Sequence, residues 1–164
     1  MQEKLYPVMD HPCAILHKMI QLIQGAQILS VPIFVTEQYP KGLGQTIPEI
    51  QNLLKPHYQP FEKTTFSALG ADTLAEQLPD QVVVAGIEAH VCVLQTVKDL
   101  LKRGKEAIVL NDAISSRSVV DFSTAIAEMR DLKVRITSTE TLLFEWLGNA
   151  THPQFRSISQ LVKA

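Results

Sequence analysis

The sequence is poor in cysteine and has no excess of positive charge, and each shortage excludes a class of protein. Cys13 and Cys92 are the only cysteines and form no CxxC pair. We therefore expect neither a disulfide framework nor a thiolate-rich zinc site. The formal net charge is −2. Nucleic acid and membrane surfaces are consequently not expected as partners, because both attract proteins through excess Lys and Arg.

Long hydrophobic runs are also missing. The longest apolar stretches, Val82 to Ile87 and Ala14 to Ile33, are too short or too interrupted by polar residues to span a bilayer. The start of the chain has no basic region followed by an apolar one, so we see no secretory signal. These features predict a cytoplasmic protein.

A chain of 164 residues that is 46% hydrophobic can bury one sizeable core, so we expect a single domain over residues 1–164. Apolar runs of strand length alternate with segments of helical period, which is typical of βαβ units around a parallel sheet. The predicted strands cover residues 31–36, 60–63, 81–86, 107–110 and 133–137. The predicted helices cover residues 12–28, 46–54, 71–77, 91–103, 119–130, 139–147 and 153–162.

In open α/β sheets, ligands bind at the carboxyl ends of the strands. Four predicted strand ends carry polar residues: 37–38, 63–65, 88–92 and the loop predicted over 111–117. Any functional site is expected among them.

Cys92 is the most promising of these residues, because it falls on the first turn of a helix that follows a buried strand. Unpaired N–H groups and the helix dipole favour a thiolate there, and a thiolate is a nucleophile. The alternative is a small buried hydrophobic residue, which is the common role of a free cysteine. For Cys13, which lies in an amphipathic helix without a polar cluster, we keep that structural interpretation.

Lys63 follows a short apolar segment, and its ammonium could stabilise a thiolate; the alternative is a solvated surface lysine. His90 could act as a base for Cys92. However, residues two positions apart at a helix start point in different directions, so a packing or supporting role is favoured. Glu37 and Glu88 could be carboxylates of the site or simply solvated. No His/Asp spacing indicates a metal site.

Three segments give the chain a recognisable pattern: GIEAHVCVLQT over 86–96, EKTTFS over 62–67 and TEQYPKGLG over 36–44. With them the sequence resembles the isochorismatase-like cysteine hydrolases, in particular the branch of uncharacterised isochorismatase-domain proteins. The resemblance runs through nearly the whole chain. It implies an α/β fold, a three-layer αβα sandwich with a mostly parallel, Rossmann-like sheet.

The resemblance also implies a Cys-Lys-Asp triad, in which the nucleophile falls on Cys92 and the lysine on Lys63. A cis peptide is implied between Ile87 and Glu88, which would direct the backbone N–H groups of Glu88 and Cys92 at an oxyanion. Further residues are expected near a small-molecule substrate: Glu37, Gln38, Tyr39, Phe66 and His90. Members of this family commonly form dimers or larger homo-oligomers, and we expect the same here.

The sequence departs from the family pattern at its start. Family members begin with a central strand that ends in Asp-x-Gln, and this sequence begins at the residues that follow the aspartate. Without that strand, the two adjacent strands would have unpaired backbone N–H and C=O groups. The sheet must therefore close up, leave a gap or recruit another chain. Either the sequence starts at an internal methionine of a longer protein, or the protein is a truncated variant, in which case we expect impaired activity. A non-catalytic binding protein that retains the fold is the alternative to a hydrolase.

Cofactors are not expected. The metal ligands of the nicotinamidase branch are not found in the corresponding loop, which reads TEQY over 36–39. Metal dependence is therefore not implied. A flavodoxin-like binder of nucleotide or flavin would share the architecture, but the sequence has no Gly-rich phosphate loop. We expect a hydrolase of small amides or related compounds that acts through a covalent Cys92 intermediate.

Overall fold

A computed structural model describes residues 1–71 and 73–163. The α-helices are α1 (Pro12–Ile28), α2 (Pro40–Leu43), α3 (Pro48–Leu54), α4 (Leu74–Gln77), α5 (Leu94–Lys102), α6 (Val119–Asp131), α7 (Thr139–Leu147) and α8 (Phe155–Leu161). The strands are β1 (Thr36–Gln38), β2 (Phe61–Lys63), β3 (Gln81–Ile87), β4 (Glu106–Ser115) and β5 (Arg135–Thr137). Short 3₁₀ turns cover Tyr6–Val8 and Ala68–Gly70, and a π-helical turn covers Ala89–Val93.

All pairing between these strands is parallel, and it divides them into two groups. β1 pairs with β2, while β3, β4 and β5 pair in that order. The register between β3 and β4 shifts between Val84 and Gly86. β3 is therefore an edge strand of its group, although its sequence is that of a strand buried on both faces.

β4 is the centre of the three-layer αβα arrangement. On one face Val109 joins a core with Val97 and Leu100 of α5 and Met129 of α6. On the other face Ile108 and Leu110 pack with residues of α7 and α1. All of these β4 side chains are at most 1% exposed. Successive side chains of β4 point to opposite faces of the sheet and pack against a layer of helices on each face. This is the α/β class that the sequence predicts.

The helix ends follow from local chemistry. α1 has Pro12 in its first turn, where a missing N–H costs nothing, and it buries Ile15, Met19 and Ile23 on one face. Ser118 caps α6 by accepting a hydrogen bond from the backbone N–H of Asp121 at 3.3 Å. The predictions for residues 12–28 and 139–147 are confirmed.

Two strand predictions are wrong in their extent. The strand predicted over 31–36 begins only at Thr36, because residues 31–35 line a cavity and the pairing with β2 starts at Thr36. Conversely β4 continues to Ser115, through much of the loop predicted over 111–117. It does so because Gly86 and Ile87 pair with Ile114 and Ser115 beyond the register shift.

Two further expectations are corrected, one about the burial of Cys13 and one about the start of a helix. Cys13 is exposed on α1, so it is not a buried packing residue. The helix predicted over 91–103 begins as a π-helical turn and becomes α-helical at Leu94. Among the described residues, no helix combines the length and the apolar character needed to cross a membrane.

Candidate active site

Three strand ends meet at one place and carry the residues singled out in the sequence. β1 ends at Gln38, β2 ends at Lys63, and β3 leads into the turn that contains Cys92. The Nζ atom of Lys63 lies 3.9 Å from the Sγ atom of Cys92 and 2.6 Å from Oε1 of Gln38. Parallel pairing of β1 with β2 places Gln38, 25 positions away, opposite Lys63. Cys92, 29 positions away, approaches Lys63 from the other group of strands.

Lys63 is a buried cation, with 7% of its surface exposed. Its ammonium also donates to the backbone carbonyls of Thr65 at 3.0 Å and Phe66 at 2.9 Å. Burial lowers the pKa of Lys63, and the neighbouring Cys92 opposes that shift. A solvated surface lysine would have none of these contacts, so that alternative is not supported.

The backbone around Cys92 is held by two residues that the sequence analysis passed over. The hydroxyl of Thr96 donates to the carbonyl of Cys92 at 2.7 Å and accepts from the N–H of Ala68 at 2.9 Å. Gly86 precedes the turn with a φ of +127°, a conformation that disfavours residues with a Cβ. Thr96 is four residues after Cys92, and that helical spacing was the signal that could have identified it.

The loop between β3 and Cys92 contains a buried carboxylate. The peptide bond between Ile87 and Glu88 is cis, and Glu88 is 7% exposed. Its Oε1 accepts from Nε of Arg117 at 2.9 Å and, less closely, from the Arg117 backbone N–H at 3.4 Å. This pairing raises the pKa of the Arg117 guanidinium. Glu88 is therefore not solvated, and Arg117 is a partner that no sequence spacing indicated.

His90 lies beside Cys92 in the chain, but its ring is engaged elsewhere. Nδ1 is 2.9 Å from Oγ of Ser116, and Nε2 is 4.0 Å from a carboxylate oxygen of Asp121. These contacts agree with a packing or supporting role.

Glu37 is also committed to protein contacts. Its carboxylate is buried and accepts from the Thr46 N–H and the Tyr58 hydroxyl, both at 2.6 Å. Burial and then the Glu37 hydrogen bond raise the pKa of Tyr58 to about 12. Of the other pocket candidates, Tyr39 and Phe66 are about half exposed. Glu37 is thus placed as a structural carboxylate, whereas Tyr39 and Phe66 are accessible.

Gln38 connects the site to the start of the chain. Its backbone N–H donates to Oε1 of Gln2 at 2.7 Å, and Nε2 of Gln2 donates back to the Gln38 carbonyl at 2.9 Å. The Gln38 side chain in turn accepts from Lys63 and donates to the Thr64 carbonyl at 2.8 Å. Gln2 was not predicted, because its role depends on a contact across 36 residues of sequence.

A cavity of about 450 Å³ has Cys92, Lys63 and Gln38 in its wall and extends between the two groups of strands. This volume lies within the usual range for small-molecule sites. Within the described part of the chain, no three His, Cys, Asp or Glu side chains are grouped so that they could hold a metal ion.

Comparison with known proteins gives consistent matches over most of the chain. The sequence model described as "Isochorismatase domain" matches residues 1–141. Isochorismatase domain-containing protein 1 of Salmo salar is 39% identical over 168 aligned positions, which cover 100% of this chain and 59% of that protein. The chain therefore spans less than two thirds of that relative.

Two solved structures share the fold. The structure named MAR1 ribonuclease from Caenorhabditis elegans has a TM-score of 0.94 and 39% identity, and the match covers 99% of this chain and 85% of that one. The YcaC gene product of Escherichia coli, described as an octameric hydrolase of unknown specificity, has a TM-score of 0.78 and 16% identity. That match covers 99% of this chain and 89% of the other.

Proposed function

The chain belongs to the isochorismatase family, and from that premise we propose that it hydrolyses a small amide or related compound through a covalent Cys92 intermediate. The observation that carries the proposal is the buried ammonium of Lys63, 3.9 Å from the sulfur of Cys92. An ammonium at this distance can donate a hydrogen bond to the sulfur, which is the proposed nucleophile.

The proposed reaction has two steps. The Cys92 sulfur attacks the carbonyl carbon, a C–S bond forms, and the C–N bond breaks as the departing nitrogen takes a proton from a water molecule. The hydroxide so formed attacks the thioester carbonyl, the C–S bond breaks, and the acid and the Cys92 thiolate are released. Over the cycle, one water adds across the C–N bond, with its hydrogen on the amine and its hydroxyl on the acid. The backbone N–H groups of Glu88 and Cys92 are proposed to stabilise the oxyanion in both steps.

The surroundings support this assignment of roles. The Thr96 hydroxyl anchors the Cys92 carbonyl, and Arg117 anchors the Glu88 side chain. The segment from Glu88 to Cys92, which carries both proposed oxyanion donors, is thereby restrained at both ends. Such restraint is what electrostatic stabilisation of a transition state requires, because mobile donors would have to reorganise during the reaction.

The first experiment compares the reaction of the two cysteines with iodoacetamide near neutral pH, followed by mass spectrometry of the peptides. Cys13 is an exposed internal control. Because the ammonium of Lys63 lies beside the sulfur of Cys92, Cys92 is expected to react roughly tenfold faster than Cys13. Lys63→Met should remove most of this advantage, whereas Lys63→Arg keeps the charge and should retain part of it.

The second experiment measures turnover over a panel of small amides and esters, with Cys92→Ala as the inactive control. RNA is included, because the nematode structure is named a ribonuclease. Equal, slow labelling of both cysteines together with no turnover on any substrate would contradict the proposal. That result would favour a non-catalytic binding protein, in which Cys92→Ala leaves partner binding intact.

We also propose that the chain forms a homo-oligomer. Val119 and Val120 are 59% and 74% exposed at the start of α6, next to the Arg117 contact, and the YcaC protein is described as octameric. Light scattering after size exclusion should give at least a dimer mass. Val120→Glu should reduce that mass, and a monomeric wild type would refute the assignment.

A further inference from the structure

Residues 64–70, which we call the lysine loop, connect the two groups that the proposed reaction needs. At one end of the loop, the ammonium of Lys63 donates to the carbonyls of Thr65 at 3.0 Å and Phe66 at 2.9 Å. At the other end, a backbone N–H of the loop donates to the hydroxyl of Thr96 in α5 at 2.9 Å. The loop is therefore bonded both to the lysine and to the helix that follows the cysteine turn.

The lysine loop is also bonded within itself. The Thr65 hydroxyl donates to the carbonyl of Ser67 at 3.0 Å, and Ser67 caps the following 3₁₀ turn by accepting from the N–H of Leu69 at 3.3 Å. Leu69 is buried in the same core cluster as the apolar side chains of α5. A displacement at the Thr96 end of the loop is therefore expected to move the carbonyls that hold Lys63.

The Thr96 hydroxyl makes one hydrogen bond as a donor and one as an acceptor. It donates to the Cys92 carbonyl at 2.7 Å and accepts from the Ala68 N–H, and Thr96 is only 6% exposed. Donation to the carbonyl four residues earlier is a local pattern of threonines in helices, so the first bond alone says little. The second bond joins the turn of Cys92 to a separate part of the chain.

Strand pairing does not fix the position of Lys63 relative to Cys92. β2 carries Lys63 and pairs with β1, whereas β3, which leads to Cys92, pairs with β4. In the described part of the chain, β2 and β3 belong to different groups of strands. The distance of 3.9 Å between Nζ and Sγ therefore depends on contacts outside the ladders, and the path through Ala68 and Thr96 consists of two short hydrogen bonds.

We propose that Thr96 is a positioning residue of the candidate active site: its hydroxyl fastens the lysine loop to the turn of Cys92 and so holds the Lys63 ammonium beside the sulfur. This inference rests on the proposed function, because it gives Thr96 a role in the reactivity of Cys92. Valine has the shape of threonine but can neither donate nor accept, whereas serine can do both. The two replacements therefore separate the hydroxyl from the shape of the side chain.

The test is a double-mutant cycle on the full chain, with the rate of Cys92 alkylation by iodoacetamide as the readout. Lys63→Met should slow this reaction roughly fivefold or more in wild type but less than about twofold in Thr96→Val, where the ammonium is no longer held at the sulfur. Thr96→Ser should retain most of this lysine effect. A change that only altered access to Cys92 would lower the rate equally with and without Lys63.

Ala68→Pro breaks the same link from the loop side and leaves the bond from Thr96 to Cys92 in place. Proline has no N–H, and Ser67 before it already has the extended ψ of 138° that a following proline favours. This variant should reduce the lysine effect as Thr96→Val does, and it tests the link even if Thr96→Val does not fold. Thr124→Val, at an exposed threonine of α6, is the matched control and should leave the lysine effect unchanged.

Three outcomes would contradict the proposal. A lysine effect that stays the same in Thr96→Val and in Ala68→Pro would overturn the role of Thr96 and leave the proposed function standing. A lower stability of Thr96→Val in urea with an unchanged lysine effect would do the same, since that is the result expected of a merely structural threonine. Absence of a lysine effect in wild type would overturn this proposal together with the role given to Lys63 in the proposed function.

Discussion

Removing the Tyr58 hydroxyl should weaken the protein in a pH-dependent way. In Tyr58→Phe the buried Glu37 carboxylate keeps the Thr46 N–H but loses the hydroxyl that donates to it at 2.6 Å. A hydrogen bond to a charged group is worth about 1.5–3 kcal/mol, and because Tyr58 is only half-buried we expect about 1–2 kcal/mol. For a domain of this size that corresponds to a fall in Tm of about 2–8 °C.

The pH dependence follows from the sign of the shift. The folded protein holds the Tyr58 proton more tightly than the unfolded chain, because burial and Glu37 raise its pKa to about 12. The stabilisation from this group is therefore complete below about pH 10, the ordinary value for tyrosine. It is lost as the pH rises towards 12. The difference in unfolding free energy between wild type and Tyr58→Phe should accordingly shrink between pH 9 and pH 11.

Urea denaturation at pH 7, 9 and 11 measures this difference, with Tyr39→Phe as the matched control. Tyr39 is 54% exposed, so its replacement should change stability by less than about 0.5 kcal/mol. A Tyr58→Phe protein as stable as wild type at pH 7, or a difference that does not change with pH, would refute the role given to this hydrogen bond.

Three further substitutions test the fold around the site. Gly86→Ala should lower the unfolding free energy in urea denaturation by about 1–3 kcal/mol. The added Cβ would meet no atom within 4 Å, so the loss would come from backbone strain at φ +127° and not from a clash. An unchanged stability would exclude the strain. Ser118→Ala should cost about 1 kcal/mol through loss of the α6 cap, and Ser118→Asp should recover it; equal stability of all three proteins would contradict the cap. Leu100→Ala should cost about 2–5 kcal/mol, because Leu100 is fully buried. Leu132→Ala, at a residue 39% exposed, should cost much less, and similar losses would refute the assignment of the core.

Local patterns were sufficient for much of the fold. The apolar period of residues 12–28 fixes α1, and the serine at 118 fixes the start of α6, because both signals act within one or two helical turns. The family, the αβα architecture and the placement of Cys92 just after strand β3 were also accessible from the sequence. They rest on continuous segments of chain whose character does not depend on distant partners.

What only the tertiary structure decided are the contacts between distant segments. The approach of Lys63 to Cys92, the engagement of Glu37 by Tyr58 and the pairing of Glu88 with Arg117 join residues 21 to 29 positions apart. The same holds for residues 31–35, whose sequence is that of a strand but whose pairing needs a neighbour. A local sequence pattern indicates which structure a segment prefers. Whether the segment forms a strand, is buried or has a charged partner depends on residues from elsewhere in the chain.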